Sequence, residues 1–271
     1  GNSARIPLIF SAISSGLRCA APTRFVHLSQ PPDIVINPVM TSREQAAINL
    51  ISSTGWLGAC APAFRDWMVA NTQWRVYAAG EGLTHAGDTD GAVYCVGDGQ
   101  VHFVTGIGMA DIGTAFFGLP GGWWGHAPVL GGVYIGSAVA SADALCGAVR
   151  LQALRARLVS HPGDWEQIAL AISGQFVMSV GAHADMLIAD SRRRVAATIL
   201  RLGGWRHRRY RISPPDAFIC TQEHLAGACA FSRNTVGKVV RGLETEGLID
   251  TRYGRIAILD AKRLRKVAEA D

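Results

Sequence analysis

Two short helix-periodic runs lie three or four residues apart in TQEHLAGACAFSRNTVGKVVRGLETEGLIDTRYGRIAIL, residues 221–259, and a pair of β-prone runs follows around Tyr253-Gly254-Arg255. Few architectures accept that order. The first run, residues 221–228, has Thr221 in N-cap position, and the second, about residues 232–244, has Ser232 in the same place. Helices this short with so tight a connection predict a helix-turn-helix, and the hairpin after them predicts the wing of a winged helix. A plain αα-hairpin shares the helical pattern, so the charge distribution has to separate the two.

Residues 1–190 hold 9 Lys+Arg against 13 Asp+Glu, whereas residues 191–271 hold 17 against 8. A basic C-terminal segment behind a mildly acidic body points to one end of the chain meeting a polyanion, double-stranded nucleic acid above all. The front of the second helix carries the matching side chains. Ser232 can cap the helix and donate to a phosphate, Arg233 can reach guanine O6 and N7, and Asn234 offers the donor and acceptor that adenine presents. Lys238 follows one turn later, with Thr235 between, and Thr221 and Gln222 open the first helix beside them.

Upstream, residues 41–70 read as short helices, and Trp74 to about Ala148 as short strands broken by Gly, Asp and Pro, the pattern of an all-β barrel or sandwich. From Pro162 to about Asp190 the pattern is helical. Trp165, Ile172, Ser179 and Met186 recur every seven residues, which predicts a seam between two copies of one long helix; a core helix inside a monomer is the alternative. A helix Ser191–Gly204 and a basic linker lead into the motif. The six cysteines have no C-x-x-C spacing, which argues against a zinc site or disulfide scaffold and for a reduced, cytoplasmic setting. No apolar run reaches the roughly 18 residues that span a bilayer. Residues 1–39 are expected to be a leader without a fold, with Met40 a natural start of the folded unit.

The C-terminal motif resembles the CRP/FNR family of bacterial transcription regulators. Thr221, Leu225, Ala226, Ser232, Arg233, Thr235, Val236, Lys238, Leu243, Glu244, Gly247, Leu248 and Ile249 stand where that family's pattern needs them, and a final Leu-bearing helix follows. The resemblance covers some 230 residues. It implies an α+β fold: an N-terminal double-stranded β-roll of the jelly-roll kind, a long dimerisation helix, and a C-terminal winged helix-turn-helix. The implied domains are a cyclic-nucleotide-binding-like sensor over residues 40–160, the dimerisation helix over 161–190 and the DNA-binding domain over 191–271. It also implies a homodimer on a DNA operator, contact with RNA polymerase, and no enzymatic role.

Two departures from the family pattern matter. Asn234 replaces an acidic residue on the reading helix, and Ala230 stands where the turn usually carries Gly, so no half-site sequence is carried over. In the family's nucleotide pocket a Gly-Glu pair holds the ribose, and Arg-Ser/Thr-Ala holds the cyclic phosphate. Here Gly125 is followed by His126, and Gly136 precedes Ser137 and Ala138, so the phosphate loses its guanidinium and cyclic AMP is not expected. The effector pocket, if kept, would use Trp124, Gly125, His126, Gly136, Ser137 and Ser179; Trp123 and Trp124 serve equally as core packing. Cys19 and Cys60 cannot supply an iron–sulfur cluster, and His85, His102, His126 and Cys95 are only nominal haem ligands. No cofactor is identified. The rival reading is a small-molecule-binding β-roll whose basic C-terminal domain serves a partner other than DNA.

Overall fold

Thr41 starts the first helix. Its side-chain oxygen accepts from the Glu44 N–H at 3.2 Å while Glu44 Oε2 accepts from the Thr41 N–H at 2.7 Å, a capping box that satisfies two orphan donors. The computed structural model describes residues 40–105, 114–207, 209–210 and 212–270, so the expected leader, residues 1–39, lies outside the described residues. Helices α1 (Ser42–Ser53), α2 (Gly55–Ala59) and α3 (Pro62–Ala70) come first. Strands β1 (Gln73–Tyr77), β2 (Gly82–Thr84), β3 (Ala92–Asp98), β4 (Val101–Thr105), β5 (Thr114–Gly118), β6 (Trp123–Trp124), β7 (Gly136–Ala140) and β8 (Ala144–Arg150) follow. Then come α4 (Leu151–Ser160), α5 (Trp165–Met186), α6 (Ser191–Leu202) and β9 (Ala217–Ile219). The chain closes with α7 (Gln222–Cys229), α8 (Arg233–Thr245), β10 (Ile249–Arg252), β11 (Arg255–Ile258) and α9 (Ala261–Glu269).

The fold is α+β, as expected. The first eight strands make two antiparallel sheets, ordered β1-β8-β3-β6 and β2-β7-β4-β5. Val96, Ala144 and Cys146 of one sheet share a core with Val101, Ala138 and Ala140 of the other. A second core lies outside the first sheet, where Val93, Cys95 and Val149 meet Phe64 and Met68 of α3, Leu154 and Leu158 of α4, and Ile168 and Ala171 of α5. The third core belongs to the C-terminal helices and the small sheet β10-β11-β9, but Phe117 and Leu119 from the β-roll are part of it. The roll and the C-terminal module therefore do not have separate interiors.

The long helix differs from its expected span. It runs from Trp165 to Met186 rather than from 162 to 190, because a 3-10 turn at Pro162–Asp164 breaks it from α4 and Leu187 closes it. Its faces differ in burial. Ile168, Ala171, Gly174, Gly181 and Asp185 face this chain's own interior, while Trp165, Phe176, Val177, Val180 and Leu187 are 39–72% exposed. A strict seven-residue repeat drifts by about 20° per heptad on a straight helix. The exposed stripe passes through Phe176 and Val180, with Ser179 exposed beside them.

Candidate nucleic-acid interface

The Ser232 side chain accepts from the Thr235 N–H at 3.2 Å and so caps α8. The Thr235 hydroxyl is engaged with Ser232 Oγ at 2.9 Å and is only half-exposed, which makes Thr235 a support for the cap more than a reader. Thr221 is likewise occupied: its Oγ1 accepts from the His224 N–H at 3.1 Å at the start of α7. Arg233, Asn234 and Lys238 are exposed at the front of α8, and Val236, Val240 and Leu243 bury the opposite face. At about 100° per residue, Arg241 falls between Arg233 and Asn234 around the axis, two turns further on. It too is exposed, and the i+3 spacing from Lys238 was the signal that would have found it.

Arg233 is not idle. Its Nη2 lies 2.5 Å from Glu223 Oε2, so the residue best suited to a guanine holds a carboxylate of α7 instead. Gln222 stands exposed beside the pair, with its Oε1 close over Gly237. The turn between the helices closes at Ala230, in the left-handed region at φ 52 and ψ 43. Glycine adopts that conformation freely, whereas a Cβ adds roughly 1–2 kcal/mol. The wing turns on Tyr253 and Gly254, with φ 51 and 72, the double positive φ of a type I′ hairpin. Tyr253 is fully exposed at the tip between Arg252 and Arg255.

Three contacts lock the reading module to the roll. Gln100, buried in the β3–β4 turn, donates from Nε2 to the Ile219 carbonyl and accepts at Oε1 from the Ile219 N–H, both at 2.7 Å. The ring of His102 on β4 stacks on His224 of α7 at 5.6 Å between centroids and 29° between planes. Burial and the neighbouring ring hold His102 below the usual imidazole value, and burial does the same to His224. Phe117 meets Phe218 at 6.0 Å.

Of the expected effector residues, Trp124, Gly125, His126, Gly136 and Ser179 line one cavity of about 310 Å³ between the roll, α5 and the segment joining α6 to β9. Ser137 is absent from that lining; its Oγ accepts from the Ala86 N–H at 3.1 Å. Gly125, at φ 89, is held by geometry, since a Cβ there would meet the Ala92 carbonyl at 2.7 Å. His126 is buried and accepts at Nδ1 from Gln175 Nε2 at 2.9 Å, and burial drives its pKa down to about 3. Ser179 is exposed at the rim, its hydroxyl donating to Gln175 O on the same helix.

Among the described residues no group of side chains has metal-ligand geometry, the five described cysteines are free and buried, and no helix is long and apolar enough to cross a membrane. Residues 193–267 match the Crp-like helix-turn-helix domain. A cyclic AMP receptor protein of Thermus thermophilus is 28% identical over 211 residues, 77% of this chain and 94% of the relative. The transcriptional regulator LdrP of the same organism is 26% identical over 196 residues, 71% of this chain and 95% of its own. The crystal structure of a CRP-family transcriptional regulator, also from Thermus thermophilus, superposes with a TM-score of 0.55 at 24% identity, covering 72% of this chain and 97% of that one. That likeness speaks for the fold, while the matched reading module and the near-complete alignment of both regulators speak for the kind of protein. The chain carries a Crp-like helix-turn-helix DNA-binding domain at its C-terminus and is similar over most of its length to transcription regulators of the CRP/FNR family.

Proposed function

We propose that the protein works as a homodimer that reads an operator with two copies of α8 and contacts RNA polymerase from the DNA, in the cytoplasm. Residues 40–160 form the sensor, 161–190 the dimer helix and 191–271 the reading domain. The observation that carries this reading is the exposed front of α8. Arg233, Asn234, Lys238 and Arg241 stand on the solvent side of a helix whose other side is locked into the core. Such a helix lies in a major groove with its N-terminal residues at base edges, and two of them fit half-sites about 34 Å apart. Thr221, Gln222 and the wing residues Arg252 and Tyr253 serve the backbone, contacts that fix register and supply salt-dependent affinity. The exposed apolar stripe of α5 supports the homodimer.

The effector cavity is read as degenerate toward cyclic AMP. Among the described residues its only charged lining side chain is Arg209, which is exposed, so a phosphate would find no buried guanidinium there. The deciding experiment is a fluorescence-anisotropy titration of the full-length protein on a fragmented genomic promoter pool across a salt series. A subset of fragments is expected to bind specifically, with a steep salt slope. Equal binding to every fragment, or none, would sink the proposal in favour of a different partner for the basic domain.

A further inference from the structure

The segment between α6 and β9 lies along α5 in reverse. Arg206 Nε donates to Asp185 Oδ1 at 2.9 Å, and the His207 ring packs on Gly181. Arg209 Nη1 donates to Ser173 Oγ at 2.9 Å, and the Tyr210 ring rests on Gly174 with its hydroxyl 3.4 Å from the Leu170 carbonyl. As the segment advances from Arg206 to Tyr210, its partners step back from Asp185 to Leu170, about 22 Å of helix at 1.5 Å per residue. Leu170, Gly174, Gly181 and Asp185 follow one another at intervals of four, seven and four residues, so they form one stripe of α5.

The two glycines of that stripe make room for the segment. Glycine weakens the interior of a helix, and α5 carries both of its glycines where a ring sits. A Cβ on Gly181 would stand 2.2 Å from His207 Cγ, and one on Gly174 would stand 3.3 Å from Tyr210 Cε2. The segment is strained in its turn, because His207 holds φ 57, in the left-handed region that a Cβ disfavours. Its attachment is uneven. Arg206 is fixed to a wholly buried carboxylate, whereas at the other end Arg209 is exposed and the Tyr210 hydrogen bond is long. Strain between one firm anchor and one light anchor is the make-up of a part that opens and closes.

We propose that Arg206, His207, Arg209 and Tyr210 form a releasable strap. Closed, it ties the middle of α5 to β9 and fixes how the C-terminal module stands on the roll. Opened from the Tyr210 end, it lets the module pivot about the joint between α5 and α6 while the Gln100 clasp on Ile219 holds. The strap stands on these contacts alone; its effect on DNA rests on the regulator reading above.

The test uses the full-length protein. A Cβ on Gly174 would lie 3.9 Å from Arg209 Cβ, within the span of a disulfide, so Gly174→Cys with Arg209→Cys should cross-link under mild oxidation and lock the strap closed. Gly181→Ala should expel the His207 ring and raise hydrogen exchange at residues 205–212 about tenfold, with the amides of α4 and β3 unchanged. Tyr210→Ala should do so from the lightly held end should the first variant fail to fold. Nitroxides at Asp66→Cys and Lys262→Cys, both exposed positions, report the pivot: their distance distribution should widen in Gly181→Ala. No cross-link, unchanged exchange in a folded variant, or an unchanged distance distribution overturns the proposal. Anisotropy on promoter DNA runs in parallel. Locking removes the open state and Gly181→Ala the closed one, so the two should shift affinity in opposite directions, each by about threefold or more. Shifts of one sign, or none, refute the strap's effect on DNA, and a wild-type chain that binds no fragment refutes the regulator reading while the exchange and distance results still decide the strap.

Discussion

Arg201 Nε of α6 lies 3.2 Å from Asp185 Oδ2 at the end of α5, and the Asp185 side chain is wholly buried. Asp185 Oδ1 accepts in addition from Arg206 Nε at 2.9 Å, and His207 Nε2 stands 2.9 Å from the same oxygen. Arg201 reaches on to the Ala228 carbonyl of α7 at 3.4 Å. One carboxylate thus joins the long helix, α6, the basic linker and the first helix of the reading module. Removing one partner of a buried ion pair leaves the other charge desolvated, at a cost of about 3–5 kcal/mol. Asp185→Ala should lower the urea midpoint accordingly, and Asp185→Glu should recover only part of it.

On the proposed reading of DNA by α8, the Arg233 guanidinium has to leave its pair with Glu223. Exposed pairs contribute little, so Glu223→Gln should raise operator affinity only about two- to fivefold. Arg233→Ala should relax preference at one base pair at a cost of about 1–3 kcal/mol, whereas Arg252→Ala should weaken all fragments alike. Competition titrations with single-base operator variants read both; uniform weakening by Arg233→Ala would place it on phosphate.

The stacked rings of His102 and His224 make docking of the reading module pH-dependent. Both imidazoles are held below their usual value in the fold, so the unfolded chain takes up protons first as pH falls. Their contribution is complete above the ordinary histidine value of 6.5 and is lost below it. Buried His126 acts in the same sense. The melting temperature should therefore fall between pH 7.5 and about 5.5, more steeply for the wild type than for His102→Gln.

Ala230 holds a left-handed turn that its Cβ disfavours. Ala230→Gly removes that strain but gives the unfolded chain more freedom. The net is a stabilisation of about 0.5–1 kcal/mol, seen as a rise of roughly 2 °C in Tm. An unchanged or lower Tm would mean that the turn is held by its neighbours rather than strained.

The exposed face of α5 provides a direct test of assembly. Phe176 and Val180 are 68% and 50% exposed in the single chain. Val180→Glu should convert a dimer into a monomer in native mass spectrometry and depress operator affinity, while Ser179→Glu, one residue round the helix, should do less.

Much of the C-terminal module was legible because its signals are local. Thr221 and Ser232 cap helices, and Tyr253-Gly254 turns a hairpin whatever surrounds it. Apolar residues line both faces of α5, and periodicity alone does not say which one the chain keeps for itself. Strands β2 and β6 are too short to show an alternation, and β8 contains Gly147 where a strand pattern breaks. Ser137 read as a pocket residue because local sequence does not reveal that Ala86, 51 residues away, claims its hydroxyl. The clasp of Gln100 on Ile219 spans 119 residues and had no signal at all.

That clasp has a second meaning. A strand at the border of a sheet presents open peptide groups on which another chain can assemble. β9 is such a border strand, paired with β11 on one side only, and the carboxamide of Gln100 occupies the outward N–H and carbonyl of Ile219 as a neighbouring peptide would. The β-roll therefore finishes the sheet of the C-terminal module. Letting the reading domain swing free would also leave an unguarded edge, so large excursions between the two carry an aggregation hazard and small pivots about a kept clasp do not.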